Sequence, residues 1–226
     1  MNIYAKIRRK LMHMRLQPIR VYCLHHVCAT FDAESMNRGD WMPIDEFKAK
    51  VQSLQQDGVE FIPLSDAYSK MTTDKFRNLK YAVLTFDDGY ASLKEILPWL
   101  AEQKIPVTLF INGKYLDGKS YRKNPKERYL TKDELWTLTS SLIEIGNHGW
   151  EHKHVPDMTD EEFAESIERN VKLLSAHPNY IPFWAYTYGE HTDASDERLR
   201  AQYIVPVYIE GLKNYNEQNL IHRELL

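Results

Sequence analysis

At 226 residues, the chain is longer than an average domain and shorter than two, a length that single barrels commonly occupy. Its 43% hydrophobic and 12% aromatic content can fill a sizeable core, and a net charge of -3 gives no electrostatic reason to expect a nucleic-acid partner. Two cysteines, Cys23 and Cys28, are too few for a disulfide scaffold.

Residues 1–18 read as a basic amphipathic helix, followed by one domain over 19–226. Ile3, Ile7, Leu11 and Met14 recur at helical spacing, and Lys6, Arg8, Arg9, Lys10 and Arg15 cover the remainder. Such a helix either packs on the domain or makes peripheral contact with an anionic membrane surface. Charge interrupts it too often for a signal peptide, and no segment is apolar enough to span a bilayer, so a cytoplasmic, membrane-associable protein is expected.

Apolar, β-branched runs predict strands at Ile19–Leu24, Val59–Ile62, Tyr81–Phe86, Val107–Ile111, Leu142–Ile145, Ile181–Tyr186 and Tyr203–Ile209. Helical patterns lie between most of them: Ile44, Phe47, Val51 and Leu54 form one stripe, and Phe163, Ile167, Val171 and Leu174 another. Thr131–Glu134 and Thr159–Glu162 have the spacing of capping boxes. Pro98 either sits in the first turn of a helix beginning near Leu97 or kinks a longer one. The polar stretch from Tyr115 to Tyr129 predicts a loop. Alternating strands and helices imply parallel pairing in an α/β sheet or barrel, with ligands gathering at the carboxyl ends of the strands.

The run YAVLTFDDGY places Asp87 and Asp88 at such an end. Farther along, GNHGWEHKH follows another predicted strand and spaces His148 and His152 for one metal ion. Two imidazoles and one carboxylate make a ligand set for Zn²⁺, with Co²⁺ or Ni²⁺ as alternatives, and leave one acid free as a base.

TFDDGY followed by HGWEH resembles the first two motifs of the NodB-homology polysaccharide deacetylases, carbohydrate esterase family four. The resemblance implies an irregular parallel (β/α) barrel of about seven strands, with Asp87 as base and Asp88, His148 and His152 as metal ligands. The activity implied is metal-assisted hydrolysis of an acetyl group from an N-acetylated sugar of a polysaccharide or glycan precursor. O-acetyl ester hydrolysis and non-catalytic carbohydrate binding are the alternatives.

Three histidines compete for the general acid. Cys23-Leu-His-His-Val27 is similar to the pattern of the biofilm poly-N-acetylglucosamine deacetylases, which implies His25; His26 lies on the opposite strand face, and His222 is near the C-terminus. A soft metal site using the cysteines is a further reading of the same stretch. The third family motif is altered to Phe183-Trp-Ala-Tyr-Thr-Tyr-Gly189, with Thr187 in place of proline and no arginine nearby to orient the base. By resemblance, Tyr188 offers its backbone N–H to an oxyanion, while Trp184 and Tyr186 either contact the sugar or belong to the core. His154 reads as a solvated loop residue, and Glu190 and His191 as groove residues.

Overall fold

The computed structural model describes residues 19–29, 40–73, 81–119, 128–209 and 221–226. The expected helix over 1–18 lies outside them. Ten strands are described: β1 (Ile19–Leu24), β2 (His26–Cys28), β3 (Trp41–Pro43), β4 (Glu60–Phe61), β5 (Tyr81–Phe86), β6 (Val107–Ile111), β7 (Ile143–Asn147), β8 (Tyr180–Ala185), β9 (Val205–Ile209) and β10 (Ile221–Leu225). The helices are α1 (Ile44–Gln56), α2 (Leu64–Thr73), α3 (Leu97–Glu102), α4 (Lys132–Trp136), α5 (Asp160–Leu174) and α6 (Asp193–Ala201).

The main sheet runs β1-β10-β9-β8-β7-β6-β5, and β1 pairs back onto β5 over six residues, from Ile19 opposite Tyr81 to Leu24 opposite Phe86. Every pairing is parallel, so the ring is a closed seven-stranded (β/α) barrel. Membership of the ring differs from the sequence expectation in one exchange. β4 only extends the lower end of the β5 edge that carries β6, whereas β10 closes the ring between β1 and β9. A strand reading Ile-His-Arg-Glu-Leu has no apolar run to announce it.

Alternation along the strands separates an inner from an outer layer. Ile19, Val21, Val83, Phe110, Phe183, Val207 and Ile221 fill the lower barrel with Leu64 and Ala67 of α2, which plugs that end. Leu84, Phe86, Leu109 and Ile145 face outward, among residues of α1, α3 and α4. Trp184, Tyr186 and Tyr208 face outward, among residues of α5 and α6. Gly146 is required by its neighbour: a Cβ there would lie 2.7 Å from the Phe110 ring that fills the barrel.

The plug is tied by Glu144, a buried carboxylate of β7. It accepts hydrogen bonds from Leu64 N at 2.8 Å and Thr108 Oγ1 at 2.9 Å, and from the Ser65 hydroxyl. An orphan backbone donor and a serine hydroxyl at the start of α2 and a buried threonine are thus satisfied together. Glu144→Ala is expected to cost about 2–4 kcal/mol, since it strands these donors in the interior, and urea unfolding measures it.

Both capping boxes form as read, Thr131 with Glu134 and Thr159 with Glu162. Pro98 sits in the first turn of α3. The described ends of the polar loop fold back over the barrel mouth, with Tyr129 bridging to Tyr90 and stacking on it at 4.8 Å.

Candidate active site

The carboxyl ends of β1, β5, β7, β8 and β10 converge on one cluster of charged side chains. Asp87 and Asp88 directly follow β5, and the chain turns there through two left-handed residues, Asp88 (φ 71°) and Gly89 (φ 81°). That turn divides the two acids. Asp87 is directed at β10, and Asp88 at the loop after β7.

Asp88 Oδ1 lies 3.3 Å from His148 Nε2 and 3.1 Å from His152 Nε2. The oxygen is buried and finds no hydrogen bond of acceptable angle among the described residues. Three such donor atoms around a tetrahedral ion, with bonds of about 2.0–2.1 Å, would be separated by about 3.3 Å, so the residues fit a divalent metal. His148 Nδ1 lies 2.8 Å from Ala185 O; donation to that carbonyl leaves Nε2 with a lone pair for the ion. Burial opposes charge on both Asp88 and His148. The histidines nonetheless hold the Asp88 carboxyl well below the usual range, and Asp87 and Asp88 raise the His148 imidazole.

The loop carrying both histidines is held from below by buried amides. Asn112 Nδ2 donates to His148 O, and Asn170 accepts from Gly113 N at 2.8 Å while donating to Ile111 O at 3.1 Å. Tyr115 Oη donates to Glu151 O at 2.9 Å from above. His152 is thereby held at φ 53°. Among the five described non-glycine residues with positive φ, three are Asp88, His152 and Tyr188, and strain of this kind concentrates where side chains must be aimed.

Asp87 makes a forked ion pair with Arg223 of β10: Nη1 to Oδ1 at 2.5 Å and Nη2 to Oδ2 at 2.8 Å. Both side chains are fully buried, and the guanidinium lies 5.2 Å from the centroid of the Phe110 ring. Burial would lift the Asp87 carboxyl, but Arg223 and then His148 outweigh it and hold it below its ordinary value. The third motif has no arginine, and the one that pairs with Asp87 comes instead from β10, 136 residues away. Its only sequence signal is parity, with Ile221 and Arg223 on the same strand face.

Alternation on β1 carries Cys23 and His25 to the inner face, within reach of Asp87. Cys23 Sγ is 3.5 Å from Asp87 Oδ2. His26 is turned away and buried, 2.9 Å from Ser92 Oγ and stacked on Tyr90 at 4.0 Å. His222 alternates with the inward Arg223 and stacks on Tyr208 at 5.4 Å, outside the barrel.

The altered third motif divides in the same way. Trp184 and Tyr186 are 1% and 0% exposed in the outer layer, which corrects their reading as sugar contacts. The inner face at that level belongs to Phe183 and Ala185. Tyr188 is 54% exposed and packs edge-on against His152 at 4.6 Å. His154 is a solvated loop residue, its side chain 44% exposed, and it stacks on Tyr188 at 3.7 Å and pairs with Glu190 at 2.5 Å. The hydroxyl of Thr187, at the proline position of the motif, donates to Lys153 O and ties this turn to the histidine loop. His191 stacks on Tyr186 at 5.4 Å.

The polysaccharide deacetylase family model matches residues 74–204, more than half of the chain. The chain belongs to the polysaccharide deacetylase family. Within this deacetylase-family chain, the matched segment carries Asp87, Asp88, His148, His152 and Tyr188, but neither β1 nor β10. The Bacillus subtilis protein YxkH, named for a polysaccharide deacetylase, is 24% identical over 166 residues, covering 71% of this chain and 57% of its own. Chitin deacetylase 1 of Saccharomyces cerevisiae is 28% identical over 137 residues, covering 60% and 40%. The chain therefore spans under two thirds of the length of these relatives.

Solved structures share the fold over 92% of the chain. They include a de-N-acetylase from Aggregatibacter actinomycetemcomitans (TM-score 0.75, 16% identity, 94% of that chain) and IcaB from Ammonifex degensii (0.72, 21%, 93%). The Streptococcus pyogenes deacetylase PplD, in complex with acetate, gives 0.76 at 18% identity over 92% of its chain.

Proposed function

We propose that the protein is a metal-dependent hydrolase that removes acetyl groups from N-acetylated sugars of a polysaccharide or glycan precursor. The observation that carries this reading is the separation of the two adjacent acids. Asp88 turns to the histidine pair, while Arg223 holds Asp87 ionised a few ångströms away.

Asp88, His148 and His152 would hold the ion, for which Zn²⁺, Co²⁺ and Ni²⁺ suit the donors. Such an ion supplies Lewis-acid polarisation of the acetyl carbonyl. The remaining work falls to this chain's own groups. Asp87 takes a proton from the water that attacks the acetyl carbon, and its depressed pKa keeps it ionised for that task. His25, across from Asp87 and partly exposed, gives a proton to the departing nitrogen, so that the C–N bond breaks to acetate and a free amine. The left-handed turn at Tyr188 leaves its backbone N–H for the oxyanion. The exposed ring, held against His152 and His154, offers a face to the sugar.

Acetate release tests this. The full chain, stripped and reloaded with each of the three metals, is expected to deacetylate N-acetylglucosamine oligomers. Release from O-acetylated sugars alone, or from no acetylated glycan at any loading, would overturn it.

A further inference from the structure

A second group of metal-type donors lies beside the first and shares no ligand with it. We propose that Cys23, His25 and Asp87 form an additional, inhibitory site for a thiophilic divalent cation such as Zn²⁺ or Cd²⁺. One donor atom from each residue lies within 4.8 Å of the other two. A tetrahedral ion with a sulfur bond of about 2.3 Å and nitrogen or oxygen bonds of about 2.0–2.2 Å needs only a modest inward swing of the half-buried His25 ring.

The geometry follows from strand parity at the barrel mouth. Cys23 and His25 lie two residues apart along β1 and its end, on its inner side, and β1 pairs along its whole length with β5, which Asp87 directly follows. Cys23 is 1% exposed, with Sγ 3.5 Å from Asp87 Oδ2. That oxygen also accepts from Arg223, but a carboxylate oxygen has a second lone pair. On binding, the S–H bond breaks, its proton passes to solvent, and the new thiolate adds one negative charge to the neutral Asp87–Arg223 pair to offset part of the ion's charge. A thiolate ligand beside an imidazole suits a soft ion, and the oxygen-preferring Mg²⁺ and Ca²⁺ do not compete for that sulfur. An ion here occupies the two groups assigned to proton transfer; this inhibitory consequence rests on the function proposed above.

Cadmium titration of the metal-free full chain tests the site, with bound ions counted by equilibrium dialysis and the thiolate-to-cadmium charge-transfer absorbance followed in parallel. The expected result is two ions per chain, with the band growing only as the second binds. Cys23→Ala is expected to bind one ion and show no band. His25→Ala, at a partly exposed position that tolerates change, is expected to weaken the second ion about tenfold or more. A single ion without the band in the wild type overturns the site, as does a band that persists in Cys23→Ala. In the acetate assay, excess Zn²⁺ is expected to inhibit the wild type and excess Mg²⁺ is not. Absence of acetate release at every loading would sink the deacetylase reading, while the cadmium titration still decides the site.

Discussion

Asp87→Asn is expected to lower kcat for acetate release by about 10²–10⁴-fold while the protein still binds its metal. Asparagine is nearly isosteric with aspartate, so it fits the same space at the end of β5, but its amide cannot accept the proton of the attacking water. The metal should survive because the Asp88 oxygen that faces His148 and His152 is a different group, turned away by the left-handed backbone at Asp88. Asp88→Asn is expected to do the reverse, losing metal affinity first and activity as a consequence. Metal content after dialysis and single-turnover acetate release, measured on both variants, separate the two roles. Loss of metal from Asp87→Asn with retention in Asp88→Asn would exchange the assignments. Full activity of Asp87→Asn would remove the base altogether.

Arg223→Met is expected to lower the stability of the metal-free protein by about 3–5 kcal/mol at neutral pH, because it strips a fully buried carboxylate of its counter-charge. The pH dependence should also change sign. In the wild type the Asp87 pKa is depressed by folding, so its contribution is present above the unfolded carboxyl value and is lost as pH falls through the folded one. Without Arg223, burial dominates and raises that pKa above the unfolded value. The variant then suffers most at neutral pH and recovers relative to wild type as acid protonates Asp87. Urea unfolding at neutral and acidic pH reads this directly.

Arg223→Lys separates charge from shape. It should restore much of the stability but little of the rate, since one ammonium cannot reproduce the two parallel bonds that aim the carboxylate. The acid limb of kcat/KM should move to higher pH in Arg223→Met. Equal stability differences at both pH values, or a lysine variant with wild-type turnover, would contradict the tethering role.

Much of the metal-type cluster is legible in the sequence alone. An apolar, β-branched run that ends in Asp87-Asp88-Gly89 reads as a buried strand stopping at a turn. His148 and His152 follow another strand at a spacing that one ion can span. Those signals are local, set by period and turn chemistry, and they survive folding unchanged. The capping boxes at Thr131 and Thr159 and the proline start of α3 are legible for the same reason.

Which face of each strand points into the barrel, by contrast, is decided only by the tertiary structure. Strands of a parallel barrel are covered on both faces, so Phe183, Trp184, Ala185 and Tyr186 look alike in sequence, and only closure of the ring sends Trp184 and Tyr186 outward. The same closure decides that His25 meets Asp87 while His26 meets Ser92. β10 is the sharpest case. A segment with Arg223 at its centre looks like surface until Asp87 is brought to it from 136 residues away, because a buried charge is tolerated only with its partner in place. The amino-acid sequence by itself thus determined which residues end the strands and which could bind an ion. Only the assembled barrel decided which faces they share, since that depends on pairings between strands distant in the chain.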